Sequence, residues 1–156
     1  MLRVLRVLLL LLLAPWLAGC ADDRAPSYQT PSQTYRIYSE AVADDQPRQV
    51  WSCLSSGLQE MVYESDLQRW LQRWEQERPE RDEARRRLQI QDEVLINDQL
   101  GYLHFDETTV NPGESPFFYF VHEANGWKIT THLDPTFRQA LERAVEAGEF
   151  QLPLAP

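Results

Sequence analysis

The residues whose chemistry could serve a site are a free thiol, three histidines and the aspartates close to two of them. His104 and Asp106 stand two positions apart in a strand-like run, and His132 and Asp134 repeat that spacing further along the chain. Residues spaced by two share one face of a strand, so His104 and Asp106 could point into one site. A zinc site needs three or four protein ligands, and His132 with Asp134 supplies two. We therefore predict no metal and no cofactor.

The thiol of Cys53 has the residue type of a nucleophile but lacks the surroundings of one. It lies between Trp51 and Leu54 in a predicted helix. A catalytic cysteine needs a lowered pKa and a positioned histidine, and no motif here provides either. We predict that Cys53 is a small buried hydrophobic residue, which is the usual state of a free cysteine.

The other cysteine, Cys20, closes an N-terminal segment of a different character. Arg3 and Arg6 precede the apolar run Val7–Leu13, and Leu17–Cys20 follows it. The run is too short for a permanent membrane helix, which needs about 20 apolar residues. The quartet Leu-Ala-Gly-Cys resembles the lipobox of bacterial lipoproteins, although an ordinary signal peptide or an uncleaved anchor could also contain a cysteine.

The lipobox resemblance implies cleavage before Cys20, a diacylglycerol thioether on its sulfur and an acyl chain on its new amino group. Residues 1–19 would be the signal peptide, and residues 20–33 would be the lipidated cysteine and a flexible tether to a periplasm-facing domain. Several buried acyl chains together anchor a protein stably, at about 0.8 kcal/mol per methylene. Ala21, rather than an aspartate, follows the cysteine, which in this family favours the outer membrane over the inner one.

The charge of the mature chain limits its partners. Without residues 1–20 the chain keeps 13 basic and 24 acidic residues, a net charge of −11. Such a surface disfavours nucleic acid, whose phosphates are bound by Lys and Arg. It also disfavours electrostatic adhesion to anionic lipids, so the predicted contact with the membrane is the lipid on Cys20.

The aromatic run that begins at Phe117 and continues to Asp134 predicts a β-hairpin, because Asn125-Gly126 is the strongest short-range turn signal. A two-residue loop of Asn125 and Gly126 would place His122 opposite Ile129 and Glu123 opposite Lys128. One face of the hairpin would then be a core face, made of Phe118, Phe120, His122, Trp127, Ile129 and Leu133. The other would be wetter, made of Tyr119, Glu123, Lys128, Thr130 and His132.

Helical patterns precede and follow this hairpin. Three helices are predicted before it: one over Ser32–Ala43, one capped by Asp44 or Asp45 and stopped by Gly57, and one beginning at Ser65-Asp66. The third carries the apolar stripe Leu67, Trp70, Leu71 and Trp74. Asp134-Pro135 predicts the start of a last helix, with Phe137, Leu141, Ala144 and Val145 on one stripe and a stop at Gly148.

Two further strands complete the predicted sheet. Alternating apolar residues from Leu88 to Ile96 and in the run Tyr102–Phe105 predict strands before the hairpin, so four strands follow three helices in meander order. The mixed charges of Glu75–Arg87 predict a solvated linker rather than a docking surface. The fold class is α+β.

This order of elements resembles the NTF2-like (cystatin-like α+β) superfamily, specifically short bacterial lipoproteins of the DUF4878 type. The resemblance spans residues 32–134 and is carried by Tyr35–Asp45, Val50–Leu54 and above all Phe117–Ile129. It implies N-terminal helices packed on a curved antiparallel sheet, forming a cone, within a single domain over residues 34–150. The charged segment and the added C-terminal helix depart from the family pattern.

Enzymes of this superfamily use the cavity of the cone, where a carboxylate or histidine acts as base and a donor stabilises the oxyanion. The resemblance therefore makes His122, Trp127, Phe120 and His104 the candidates to line a cavity, with Asp106 beside His104. No family catalytic motif transfers onto these positions, and we predict no catalytic residue.

The leading functional hypothesis is an envelope lipoprotein whose domain is a non-enzymatic interaction or structural module for an envelope protein. A partner would bind the apolar stripe of the last helix at Phe137, Leu141 and Val145, if that stripe is exposed. The alternatives are a binder of a small apolar ligand in the cone and an isomerase or cyclase of the NTF2-like type. The sequence leaves open whether the protein is a monomer or a dimer.

Overall fold

The computed structural model describes residues 27–77 and 88–150, and it has helices, then a sheet, then a last helix. Within these two ranges four helices come first, then a four-stranded sheet whose second and third strands are joined through a short 3-10 helix at Glu107–Thr109. The bounds are α1 Pro31–Ala43, α2 Pro47–Cys53, α3 Ser56–Tyr63, α4 Leu67–Gln76, β1 Ile90–Leu95, β2 Leu100–Phe105, β3 Phe117–Glu123, β4 Gly126–Thr130 and α5 Pro135–Glu146. The predicted α+β class is confirmed.

Two of the helix starts follow local capping signals that the sequence predicts. The Asp66 carboxylate accepts hydrogen bonds from the backbone amides of Gln68 and Arg69, and α4 begins at the next residue, Leu67. The Asp134 carboxylate accepts from the amide of Thr136, with Pro135 in the first turn of α5. These side chains satisfy amides that have no partner inside a helix.

The second helix differs from its prediction. It ends at Cys53, no side chain caps its start at Gln46, and Gly57 lies inside the additional helix α3. The cause is tertiary: Leu54 leaves the helix to form a backbone bridge with Ile129, and the Ser55 amide donates to the Ile129 carbonyl at 2.8 Å. The chain thereby covers the edge of β4. It turns away from the helix axis at a point where the sequence pattern alone predicts that the helix continues.

The sheet has the predicted antiparallel order β1-β2-β3-β4, but the hairpin register differs. Glu123 pairs with Gly126 and His122 with Trp127, so the two-residue loop is Ala124-Asn125. Each β3 residue thus faces a β4 residue two positions earlier than predicted. A shift of two keeps every side chain on its predicted face, because strand side chains alternate with period two.

Helices pack on both faces of the sheet, where the sequence predicts one core face and one wetter face. The inner face packs against α1–α4 through the cluster of Leu103, Phe105, Phe120, Trp127 and Ile129. The outer face carries a second apolar cluster, in which Leu100 and Val121 meet Phe137 and Ala144 of α5. Lys128 and Thr130, expected on the wetter face, are buried as well.

Candidate interaction surface

Phe120 and Trp127, two of the predicted cavity-lining residues, are buried within the inner-face core. They belong to one cluster with Trp70 and Trp74 of α4. The indole rings of Trp70 and Trp74 have centroids 5.3 Å apart, and the Trp70 indole N–H donates to the Pro47 carbonyl at 2.9 Å. These side chains are held as core packing, which is the commoner role of an aromatic helix stripe.

His122 is exposed, so the prediction that it points into the core is wrong. It does occupy the inner face, and its ring lies edge-on to Trp127 with the centroids 5.2 Å apart. Its backbone amide donates to the Gln99 carbonyl at 2.9 Å, outside the paired part of β2. His122 thus lies at the end of the sheet, where inner-face position does not bring burial.

His104 and Asp106 do not form a joint site. His104 is on the outer face, stacked on Phe117 with the ring centroids 4.8 Å apart, and its Nδ1 lies 3.7 Å from a carboxylate oxygen of Asp92. Asp106 caps the 3-10 helix instead, accepting from the amide and hydroxyl of Thr108, whose hydroxyl lowers the pKa of Asp106. His104 therefore lines no cavity of the inner face.

His132 and Asp134 are also separated. The Asp134 carboxylate is buried, and it accepts hydrogen bonds from Thr130 Oγ1 at 2.8 Å and Ser55 Oγ at 3.3 Å. His132 is exposed beside the ring of Tyr119. Over residues 27–77 and 88–150, no three His, Cys, Asp or Glu side chains come together as metal ligands.

The apolar stripe of α5 packs against the outer face of the sheet. Phe137 is only 2% exposed, and its ring lies 5.3 Å from that of Tyr119. Leu141 is partly buried against the outer-face cluster, and Val145 is half-buried. The prediction that this stripe offers an exposed partner site is wrong for Phe137, because the sheet already occupies it.

The helix α5 leaves one part of the outer face open. Near the β3–β4 loop, the residues that follow α5 are held to the β1–β2 turn by a hydrogen bond from Asn97 Nδ2 to Glu149 Oε2 at 2.7 Å. Towards the start of β3 the rings are less covered, and Phe117 is 37% exposed. We call this region the outer aromatic face; it consists of Tyr102, His104, Phe117, Tyr119 and His132.

The rings of the outer aromatic face contact one another beside a carboxylate. Tyr102 and Phe117 meet edge to face with centroids 5.8 Å apart, and Phe117 stacks on His104. Asp92 lies next to His104 with its side chain 59% exposed. Aromatic faces attract cations through their quadrupole, and the carboxylate adds a negative charge. The surface therefore suits a cationic side chain of arginine or lysine.

The sequence contains a signal for this surface. In the run Phe117-Phe-Tyr-Phe, aromatic residues fall on both faces of one strand. Both faces of that strand are therefore hydrophobic, and another element has to shield each of them from water. Residues 118 and 120 face α1–α4, whereas residues 117 and 119 face outward. Only the placement of α5 decides which outward rings stay open.

A second polar cluster lies at the edge of β4, and sequence reasoning missed it. The residue Lys128 is 2% exposed; its ammonium donates to the Ser52 carbonyl at 2.7 Å and lies 3.6 Å from the centroid of the Tyr28 ring. The Tyr28 hydroxyl is 2.7 Å from Ser52 Oγ and accepts from Gln49 Nε2 at 2.9 Å. We call Tyr28, Gln49, Ser52 and Lys128 the Tyr28 clasp.

Burial shifts the pKa values of three ionisable side chains in this region. It lowers the pKa of Lys128 and raises that of Tyr28. It also raises the pKa of the neighbouring Cys53 thiol to about 11. A buried thiol that stays protonated is a poor nucleophile, which agrees with the structural role predicted for Cys53.

Comparison with protein-family models, curated proteins and solved structures finds no match for this chain. Within the described ranges, no helix combines the length and the apolar character that crossing a membrane requires. The class that the fold defines is an α+β protein with a four-stranded antiparallel sheet between two helical layers.

Proposed function

We propose that this protein is a lipid-anchored envelope protein whose domain is a non-enzymatic interaction module. It binds an Arg- or Lys-containing segment of a protein partner through the outer aromatic face. The lipobox at Cys20 supports the anchor, and the likeness in element order supports an NTF2-like domain with an added helix. The exposure of Phe117 within a cluster of contacting rings carries the proposal of binding.

The state of the inner face favours this function over a cavity enzyme or a ligand binder. Phe120 and Trp127 are packed in the core, and His122 is exposed at the end of the sheet. His104 faces outward and stacks on Phe117, with Asp106 engaged in capping. A base for cavity chemistry would have to lie inside a cavity of the inner face, and neither histidine is enclosed there.

The charge of the surface determines the chemistry of the partner. The carboxylate of Asp92 lies beside the rings, and none of the five residues of the outer aromatic face is Lys or Arg. The net charge of −11 that cleavage before Cys20 would leave also disfavours a second copy of the same acidic chain as the occupant. A cationic segment gains from both the rings and the carboxylate.

The binding proposal is tested by titrating the purified protein with a short peptide containing Arg and Tyr, and with the same peptide carrying citrulline in place of Arg. Phe117→Ala should weaken binding of the Arg peptide by roughly 2- to 5-fold, the range expected for losing one exposed cation–π contact. The citrulline peptide should bind weakly to both proteins, because it lacks the cation.

Met61→Ala is the matched control for that titration, since Met61 is another exposed apolar side chain, on α3. It should leave the affinity for the Arg peptide unchanged. Equal affinity of Phe117→Ala and the wild type would refute the site. Self-association that depends on Phe117 would instead identify a second copy as the occupant and refute the cationic partner.

A further inference from the structure

The first described residues of the chain are fixed to the end of the β3–β4 hairpin. The Trp127 amide donates to the Tyr28 carbonyl at 2.8 Å. Gly126 lies beneath this contact with φ of 104°, and a Cβ there would come within 2.3 Å of the Tyr28 carbonyl oxygen. Glycine therefore allows both the backbone conformation and the close approach.

The side chain of Tyr28 adds a second attachment. Through the Tyr28 clasp its hydroxyl bonds to α2 at Ser52 and Gln49, and its ring lies against the ammonium of Lys128 on β4. A buried ammonium needs compensating partners, which here are the Tyr28 ring and the Ser52 carbonyl. The chain thus enters the fold at a defined point, held by backbone and side-chain contacts.

That entry point and the outer aromatic face lie at opposite ends of the sheet. The β3–β4 loop and the β1–β2 turn are at one end, because Leu100 pairs with Val121. Phe117 begins β3 at the other end, where it pairs with His104. The seven residues of β3 span about 20 Å at the usual rise per residue.

We propose that the Tyr28 clasp makes the hairpin end of the sheet the membrane-proximal end, so that the outer aromatic face points away from the bilayer. This orientation rests on the proposed lipid at Cys20. The eight peptide units from Cys20 to Tyr28 reach at most about 29 Å. The hairpin end therefore stays within that distance of the lipid surface, whereas the far end of β3 can lie about 20 Å beyond it. Exposed acidic residues at the hairpin end, such as Asp98 and Glu149, oppose close contact with anionic head groups.

The orientation is tested by energy transfer on the full-length lipidated protein in vesicles of phosphatidylethanolamine and phosphatidylglycerol. A donor dye is placed at Asn125→Cys in the β3–β4 loop or at Glu114→Cys in the exposed loop before β3, with an acceptor on the lipid head groups. The buried Cys53 stays unlabelled. Transfer from position 125 should be roughly twice that from position 114, because about 20 Å of strand separates the two ends.

The clasp is tested by comparing Tyr28→Ala with Tyr28→Phe in both labelled proteins. Tyr28→Phe keeps the ring beside Lys128, so the difference between the positions should be kept. Tyr28→Ala removes the ring and the hydroxyl and should reduce that difference, while thermal midpoints verify folding. Equal transfer from positions 125 and 114, a reversed order, or a difference unaffected by Tyr28→Ala would overturn the inference. Failure of the protein to float with the vesicles would instead contradict the proposed anchor.

Discussion

Lys128 and Cys53 share one environment at the edge of β4, and burial acts on them in opposite ways. Burial disfavours a charged group, so it lowers the pKa of the amine and raises that of the thiol. Lys128 keeps hydrogen-bonding and cation–π partners that stabilise its charge. Cys53 stays a thiol that donates to the Gln49 carbonyl at 3.3 Å.

The raised pKa of Cys53 predicts a loss of stability in alkali. Below its ordinary pKa of 9.0 the thiol is protonated in both states; between 9.0 and about 11 it ionises only in the unfolded chain. The unfolded state then binds fewer protons, so stability falls as the pH rises through this window. At about 1.4 kcal/mol per pKa unit, the loss is about 2–3 kcal/mol.

Cys53→Ser isolates this effect, because serine keeps a donor for the Gln49 carbonyl but does not titrate in this range. Urea unfolding at about pH 8 and about pH 11 should show the wild type losing about 2–3 kcal/mol more than the variant. Ionisable groups that do not interact with Cys53 titrate alike in both proteins and cancel in the comparison, whereas Lys128 and Tyr28 interact with the Cys53 thiolate, so the difference reports on Cys53 together with these two neighbours. Identical pH dependence of the two proteins would contradict a buried, protonated Cys53.

The helix α3 shows how one element is fixed by contacts from distant parts of the chain. Ser55 Oγ accepts from the Leu58 amide, and the Ser56 amide donates to the Glu123 carboxylate at 2.7 Å. Gly57 follows, and a Cβ there would lie 2.3 Å from an Asp134 carboxylate oxygen. The start of α3 is thus joined to the hairpin and to the N-terminus of α5.

Gly57→Ala should therefore destabilise the protein by about 1–3 kcal/mol, the usual cost of overpacking. Alanine in place of a helical glycine normally stabilises by about 1 kcal/mol, so the expected sign is reversed. Urea denaturation measures the change. In the background of Asp134→Ser, which shortens the side chain but keeps a capping hydroxyl, Gly57→Ala should lose its penalty. A stabilising Gly57→Ala in the otherwise unchanged protein would show that Asp134 does not crowd this position.

At the scale of the whole molecule, helices on both sides of the sheet divide its residues into three environments. The inner face is filled by α1–α4, the outer face is covered by α5 near the hairpin end, and the outer aromatic face stays open. The entry point of the chain at Tyr28 lies at the covered end. Anchoring and binding can therefore occupy opposite ends of one small sheet.

The proposed anchor predicts that Cys20→Ser abolishes attachment through lipid, because the thioether to the diacylglycerol forms on the Cys20 thiol. Cells fed a labelled fatty acid should incorporate label into the wild type and into Cys53→Ser, but not into Cys20→Ser. Membrane fractionation should show the same pattern. Fatty-acid label on the Cys20→Ser protein would contradict the lipoprotein hypothesis.

Sequence signals that act over a few residues gave correct local structure. Asp66 and Asp134 marked the starts of α4 and α5, and Gly148 follows the end of α5 with φ of 74°. The alternation along β3 and β4 assigned Phe120 and Trp127 to the core. In contrast, Asn125-Gly126 indicated a hairpin but not its register, because the approach of Tyr28 places Gly126 inside β4.

The sequence by itself determined the α+β class, the meander of four strands, the caps of the later helices and the burial of Cys53. Only the tertiary structure decided that Lys128 is buried, that His122 is exposed and that Phe137 packs on the sheet while Phe117 stays open. The reason is physical: caps, turns and alternation depend on neighbours within a few residues, whereas burial depends on which distant element covers a face.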